Sequence, residues 1–182
     1  MPAFAALAAR NPELKLQVLG PGVSEWIVRA AFPESLRWRV SCVDTVSETE
    51  NAALFAAGDI YLLPSLFEGT PLTLIEAMMS GMPIVTTATC GMKDVIDDEK
   101  NGLLVPVRSP GAIVAAVERL LGDATFRAQL GRAAHEEAKG KYTWQRVAAP
   151  VQRIYEQLSC GRTGERRGGA TESDEKDTEG RH

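Results

Sequence analysis

Cysteine is scarce in this chain and never clustered: Cys42, Cys90 and Cys160 stand far apart, with no CxxC spacing. That pattern excludes a disulfide frame and a cysteine-based zinc site, and it fits reduced thiols in the cytoplasm. Histidine is scarcer still. His135 lies beside Glu136 and Glu137 in a polar helical stretch, where a solvated surface role is expected, and His182 belongs to the polar end. Neither is placed to act as a general base. No apolar run approaches the ~20 residues that cross a bilayer. The apolar start, Met1 to Ala9, is too short for a signal peptide and lacks a basic leader, so an amphipathic helix is expected there. Positive charge is not in excess, with Lys+Arg 20 against Asp+Glu 24. Nucleic acid is therefore excluded as a principal partner, because binding a phosphate backbone needs clustered Lys and Arg.

What the chain does have is apolar content, 45% over 182 residues, enough for one domain with a stable core. Strand-length apolar segments alternate with segments of helical period. Strands are expected at Leu14–Leu19, Arg37–Val43, Asp59–Leu63, Ile84–Thr87 and Leu103–Val105. Helices are expected at Pro2–Arg10, from a Ser24 cap to Ala31, and at Thr49–Ala57 and Leu72–Ser80. Three more follow, from Pro110 to Leu121, Thr125–Lys139 and Thr143–Leu158, the last with Trp144 and Tyr155 as packing anchors. From Ser159 onward Gly, Arg, Glu, Asp, Ser and Thr dominate, so residues 159–182 are expected to be a disordered polar tail behind a domain at 1–158. The alternation predicts an α/β fold, a mostly parallel sheet with helices on both faces. Ligands of such sheets bind beyond the carboxyl ends of the strands.

One stretch, Leu63 to Val85, carries the chemistry. It leaves a strand, turns, enters a helix and stops at Gly81, with Pro83 beginning the next strand. Glu68 lies in the turn and Glu76, eight residues later, in the helix. Gly69 supplies a flexible turn, and Pro71 suits the first helical position. One carboxylate, the positive end of a helix and a second carboxylate thus share a crevice suited to a ligand with both phosphates and hydroxyls. Met78, Met79 and Met82 read as core packing, and Cys90 as a small buried thiol.

The same stretch, from Leu62 to Val85, resembles the E-x7-E signature of retaining glycosyltransferases of family 4, which have the GT-B fold. Three further segments resemble the family: Leu16-Gln-Val-Leu-Gly-Pro-Gly, Asn101-Gly-Leu-Leu-Val-Pro and Tyr142-Thr-Trp-Gln. The resemblance covers roughly residues 4 to 158 and implies a Rossmann-like domain, the C-terminal half of a GT-B fold, that binds a nucleotide-diphosphate sugar. Carried over, Glu68 is the catalytic-site carboxylate at the donor sugar. Gly69, Thr70 and Leu72 turn backbone N–H groups toward sugar and diphosphate, and Pro71 presets the helix start. Glu76 accepts hydrogen bonds from the ribose hydroxyls, and the loop at Val43, Asp44 and Thr45 lies against the base. No metal and no cofactor are implied, since a helix N-terminus takes the place of Mg²⁺.

The resemblance also implies parts that this sequence does not contain. The first strand of the domain is expected to be absent, which would leave Leu14–Leu19 and Asp59–Leu63 with unpaired edges. The N-terminal acceptor domain is expected to be absent as well. Transfer would then need a separate acceptor-domain polypeptide, and membrane association would come only through that half. The rival readings are a non-catalytic nucleotide-sugar-binding subunit, a degenerate fragment without a ligand, and a related GT-B-type epimerase.

Overall fold

A computed structural model of the chain describes residues 2–44 and 48–164. Helix α1 (Pro2–Arg10) buries Ala3, Phe4, Leu7 and Ala8, one stripe of a 3.6-residue period. Strand β1 (Leu16–Leu19) and helix α2 (Glu25–Ala30) follow. The strand expected at Arg37–Val43 is shorter. A 3-10 turn, Glu34–Arg39, takes its first half, and β2 is Val40–Val43. Pro33 opens that turn, its carbonyl accepting from the Leu36 N–H at 2.8 Å. Arg39 then reaches the carbonyls of Ala8 and Asn11 at 3.1 and 3.2 Å, which ties β2 to the end of α1.

The rest runs α3 (Glu48–Ala57), β3 (Tyr61–Leu63), α4 (Leu72–Met79), β4 (Ile84–Thr87), α5 (Cys90–Val95), β5 (Leu103–Val105), α6 (Pro110–Gly122), α7 (Ala124–Lys141) and α8 (Trp144–Gly164). Helix α5 has no counterpart in the sequence reading, because six residues containing Gly91 show no helical period. All strand pairs are parallel and form two sheets, β1-β2 and β3-β4-β5. Among the described residues, β1 and β3 each have a ladder partner on one side only. Strand β3 is half-buried throughout, whereas every residue of the central β4 is buried.

Alternation along β4 sorts the core into two faces. Ile84 packs with Leu74, Met78, Met92, Ala134 and Ala138. Its neighbour Val85 packs on the other side with Leu7, Leu103, Val117, Leu120 and Leu130. Helices α4 and α5 thus cover one face and α1 and α6 the other, while α7 contributes to both, Ala134 and Ala138 to the first and Leu130 to the second. Met78 and Met82 are buried, as a packing role requires.

Helix α4 ends in a Schellman motif. Gly81, at φ +70°, donates to the Met78 carbonyl at 2.9 Å and Met82 to that of Ala77 at 3.0 Å. Helix α7 lies against this turn so closely that a Cβ at Gly131 would stand 2.2 Å from the Gly81 carbonyl oxygen. His135 is accordingly not a solvated surface residue. It is half-buried, with Nδ1 2.6 Å from the Met79 carbonyl oxygen at the end of α4. Buried Asn101 holds the segment after α5: its amide donates to the Val95 carbonyl at 3.3 Å and to Glu137, and its Oδ1 accepts from the Asp97 N–H at 2.8 Å.

The described residues fall into two units that divide between Tyr142 and Thr143. In the second unit, α8 continues to Gly164, so residues 159–164 are helical where disorder was expected. The remainder of the expected tail, 165–182, lies outside the described residues. Trp144 and Tyr155, the expected packing anchors, both lie on α8 in this second unit. No helix among the described residues is long and apolar enough to cross a membrane.

Candidate functional site

The connection from β3 to α4 is built from its base upward by two threonines. Thr86 and Thr87 are buried side by side in β4. A buried hydroxyl needs a partner. Thr86 donates to the Leu63 carbonyl at 2.9 Å, and Thr87 to that of Ser65 at 2.5 Å. The chain leaving β3 is therefore clamped to β4 as far as Ser65. From there the Ser65 hydroxyl donates to Glu68 Oε1 at 3.1 Å, the one side-chain hydrogen bond to this half-buried carboxylate among the described residues.

A second clamp comes from α5. The Gly91 N–H donates to the Glu68 carbonyl at 3.3 Å. The backbones meet so tightly that a Cβ at Gly91 would fall 1.4 Å from the Gly69 carbonyl oxygen, so only glycine fits. Cys90 precedes it at φ +45°, a left-handed conformation that a non-glycine side chain rarely adopts. The thiol is half-buried.

Pro71 is the N-cap of α4, one position earlier than expected, with Leu72 the first helical residue. Its carbonyl accepts from Leu74 at 3.1 Å and Ile75 at 3.4 Å. The N–H groups of Leu72 and Thr73 precede any intrahelical acceptor, so they carry the positive end of the helix dipole. Gly69, Thr70 and Leu72 are exposed, and Leu66, Phe67 and Leu72 form an apolar rim at 53%, 78% and 74% exposure.

Glu76 projects from the second turn of α4, exposed, with its Oε2 accepting from Asn51 Nδ2 of α3 at 2.9 Å. Tyr61, at the start of β3, donates its hydroxyl to Thr73 Oγ1 at 2.8 Å. Burial pushes the Tyr61 hydroxyl above its ordinary pKa; the Thr73 bond opposes this, while the charges of Glu76 and Glu68 add to it. Both carboxylates thus act on one phenol, and Tyr61 stays a neutral donor through the physiological range.

The structure therefore brings together Glu68, Gly69, Thr70, Pro71, Leu72 and Glu76. Val43 and Asp44 sit at the carboxyl end of β2 in the other sheet, where the Val43 carbonyl accepts from Gly20 at 2.8 Å. Thr45 lies outside the described residues. Sequence reasoning missed Asn51, Tyr61, Ser65, Thr87 and Gly91. Ser65, three residues before Glu68, was the one with a local signal. The others reach the site from 12 to 25 residues away, as with Tyr61 to Thr73 and Asn51 to Glu76.

A turn carrying one carboxylate, an open helix N-terminus and a second carboxylate all lie beyond the carboxyl end of a parallel strand, in an α/β fold that the C-terminal-like domain of GT-B glycosyltransferases shares. The structure superimposes on sucrose-phosphate synthase from Thermosynechococcus elongatus with a TM-score of 0.76 and 27% identity, covering 88% of this chain and 42% of that one. Against Anabaena HepE in complex with UDP-glucose, the TM-score is 0.71 at 20% identity, over 87% of this chain and 44% of that one. The chain belongs to the family of glycosyl transferases group 1, whose model matches residues 1–137. The D-inositol 3-phosphate glycosyltransferase of Corynebacterium glutamicum (strain R) is 31% identical over 160 residues, which are 84% of this chain and 38% of that protein. The chain thus spans well under half the length of this relative.

Proposed function

We propose that the chain is the donor-binding half of a retaining, family-4-type glycosyltransferase that takes its sugar from a nucleotide-diphosphate donor. The observation that carries the reading is the clamped β3–α4 connection, which places Glu68, the start of α4 and Glu76 in succession beyond the carboxyl end of β3. Glu68 accepts hydrogen bonds from the donor sugar's hydroxyls, with Ser65 and Gly91 holding it in place. The N-terminus of α4 faces the diphosphate and stabilises the negative charge that grows on it as the glycosidic bond breaks. Glu76 accepts from the ribose diol, and Val43 and Asp44 border the base. Positioning of the donor and this fixed field supply the catalysis, with no metal and no cofactor.

The UDP-glucose complex of Anabaena HepE and the transferase activities that the relatives' names state support the donor class. The exposed rim of Leu66, Phe67 and Leu72 fits an acceptor-binding domain closing over the donor, which the reading assigns to another polypeptide or part of one. Free Cys42 and Cys90 fit a reducing cytoplasm. The test is calorimetric titration with UDP, GDP and ADP and their sugar conjugates, alongside Glu76→Ala. One nucleotide should bind, and the variant should weaken it by ~1–3 kcal/mol, as for a lost hydrogen bond to a charged group. A folded chain that binds none of them would refute the reading.

A further inference from the structure

Glu76 is an exposed carboxylate on a flexible side chain, yet binding a diol asks for one orientation of it. A glutamate that samples its rotamers freely loses ordering entropy each time a ligand binds. Here that freedom is already restricted. Asn51 Nδ2 donates to Oε2 at 2.9 Å across the packed pair of helices α3 and α4. Because a carboxylate accepts and never donates, the contacting atom of Asn51 must be its amide nitrogen, which fixes the amide's orientation. Asn51 is half-buried and Glu76 exposed, so the amide is the anchor and the carboxylate the group being held. One lone pair of Oε2 is taken, and among the described residues no other side chain bonds this carboxylate. Two nearby hydroxyls are engaged elsewhere. The Tyr61 hydroxyl bonds Thr73, and the Ser80 hydroxyl bonds the Glu76 carbonyl at 2.9 Å.

We propose that Asn51 is a positioning residue that sets sugar specificity in the nucleotide: by holding Glu76 in its diol-receiving orientation, it makes affinity depend on the ribose 2′-hydroxyl. The inference rests on the donor-binding reading above. Asn51 does not itself touch the ligand; it acts through Glu76. Its signature is therefore selectivity for ribose over 2′-deoxyribose, together with complete dependence on Glu76.

The experiment is calorimetric titration of the full chain with UDP, GDP and ADP and with their 2′-deoxy counterparts. The proteins compared are the unaltered chain, Asn51→Ala, Glu76→Ala and the double variant, each checked by circular dichroism and a melting curve. Asn51→Ala should bind the preferred ribonucleotide about tenfold more weakly, equivalent to about 1.4 kcal/mol. It should bind the deoxy form nearly as the unaltered chain does, so the ratio of the two falls toward one. In the Glu76→Ala background the same substitution should change nothing further, because the group it positions is gone. An unchanged ratio in folded Asn51→Ala, or an equal loss with and without Glu76, would overturn the inference while leaving donor binding intact. Failure of the unaltered chain to bind any of the nucleotides would overturn the donor-binding reading, and this inference with it.

Discussion

Replacing Gly91 by alanine tests how the site is held together. The new Cβ would lie 1.4 Å from the Gly69 carbonyl oxygen, 2.4 Å from its carbon and 3.1 Å from the Thr70 nitrogen. Ordinary contact begins near 3.4 Å, so one backbone must retreat by about 2 Å. No flexible side-chain end can yield, because every obstructing atom is backbone. On one side, β4 and the buried Met92 and Val95 of α5 anchor the segment that carries Gly91. On the other stands the exposed turn at Gly69 and Thr70. The turn is the part that moves. It would give up the bond from Gly91 to the Glu68 carbonyl and draw Glu68 away from Ser65. Overpacking costs about 1–3 kcal/mol and a lost hydrogen bond about 1 kcal/mol. A net loss of about 2–3 kcal/mol would lower the melting temperature by roughly 4–12 °C for a chain of this size. Glu76 lies a turn further along α4 and keeps its Asn51 anchor. Binding of the bare nucleotide should therefore weaken less than binding of the sugar conjugate, which also needs Glu68 and the Gly69 turn. Melting curves and paired titrations with UDP and UDP-sugar measure both quantities. A Gly91→Ala protein with unchanged melting temperature and unchanged sugar-conjugate affinity would refute the packing argument.

Two further outcomes follow from the same contacts. Asn101→Ala removes the partner of the Val95 carbonyl, the Asp97 N–H and the Glu137 carboxylate at once. It should destabilise the fold by about 2–4 kcal/mol in urea unfolding, since each buried group left unpaired costs about 1–3 kcal/mol. A loss below 0.5 kcal/mol would show that water replaces the amide. Tyr61, whose hydroxyl ionises above its ordinary 10.0 in the fold, contributes stability that is intact below that value and is lost as pH rises through the folded one. An absorbance titration of the phenols, compared with Tyr61→Phe, should show that the variant lacks a late-titrating group. Tyr142, also pushed up by burial, should be retained.

The contrast between α4 and α5 shows what kind of information the sequence holds. The strand, turn, helix and stop between Leu63 and Val85 were legible because each is a local preference: an apolar strand, Gly69 and Pro71 at the turn, then Gly81 and Pro83 at the stop. Helix α5 was not, because it is short and interrupted by glycine, and it stands only where its Met92 and Val95 are buried. The turn at Glu34–Arg39 was hidden in part: Arg37–Arg39 run straight into the apolar Val40–Val43 and were read as its start, whereas Pro33 opens a 3-10 turn that takes them. The two glutamates were singled out by their place in the stretch from Leu63 to Val85 and by its resemblance to the E-x7-E signature. Their supports were not, since Asn51 reaches Glu76 across 25 residues and Thr87 reaches Ser65 across 22.

The sequence by itself determined the alternation of parallel strands and helices and the strand, turn and helix that carry the two carboxylates. These are set by periodicity, turn chemistry and residue type, all local quantities. Only the tertiary structure decided which groups hold those carboxylates still. It showed that Gly91 must be glycine, that His135 caps the end of α4, and that β1 and β3 belong to different sheets. Each of these is a contact between segments far apart in the chain, where packing and hydrogen-bond satisfaction decide and no short-range pattern records the outcome.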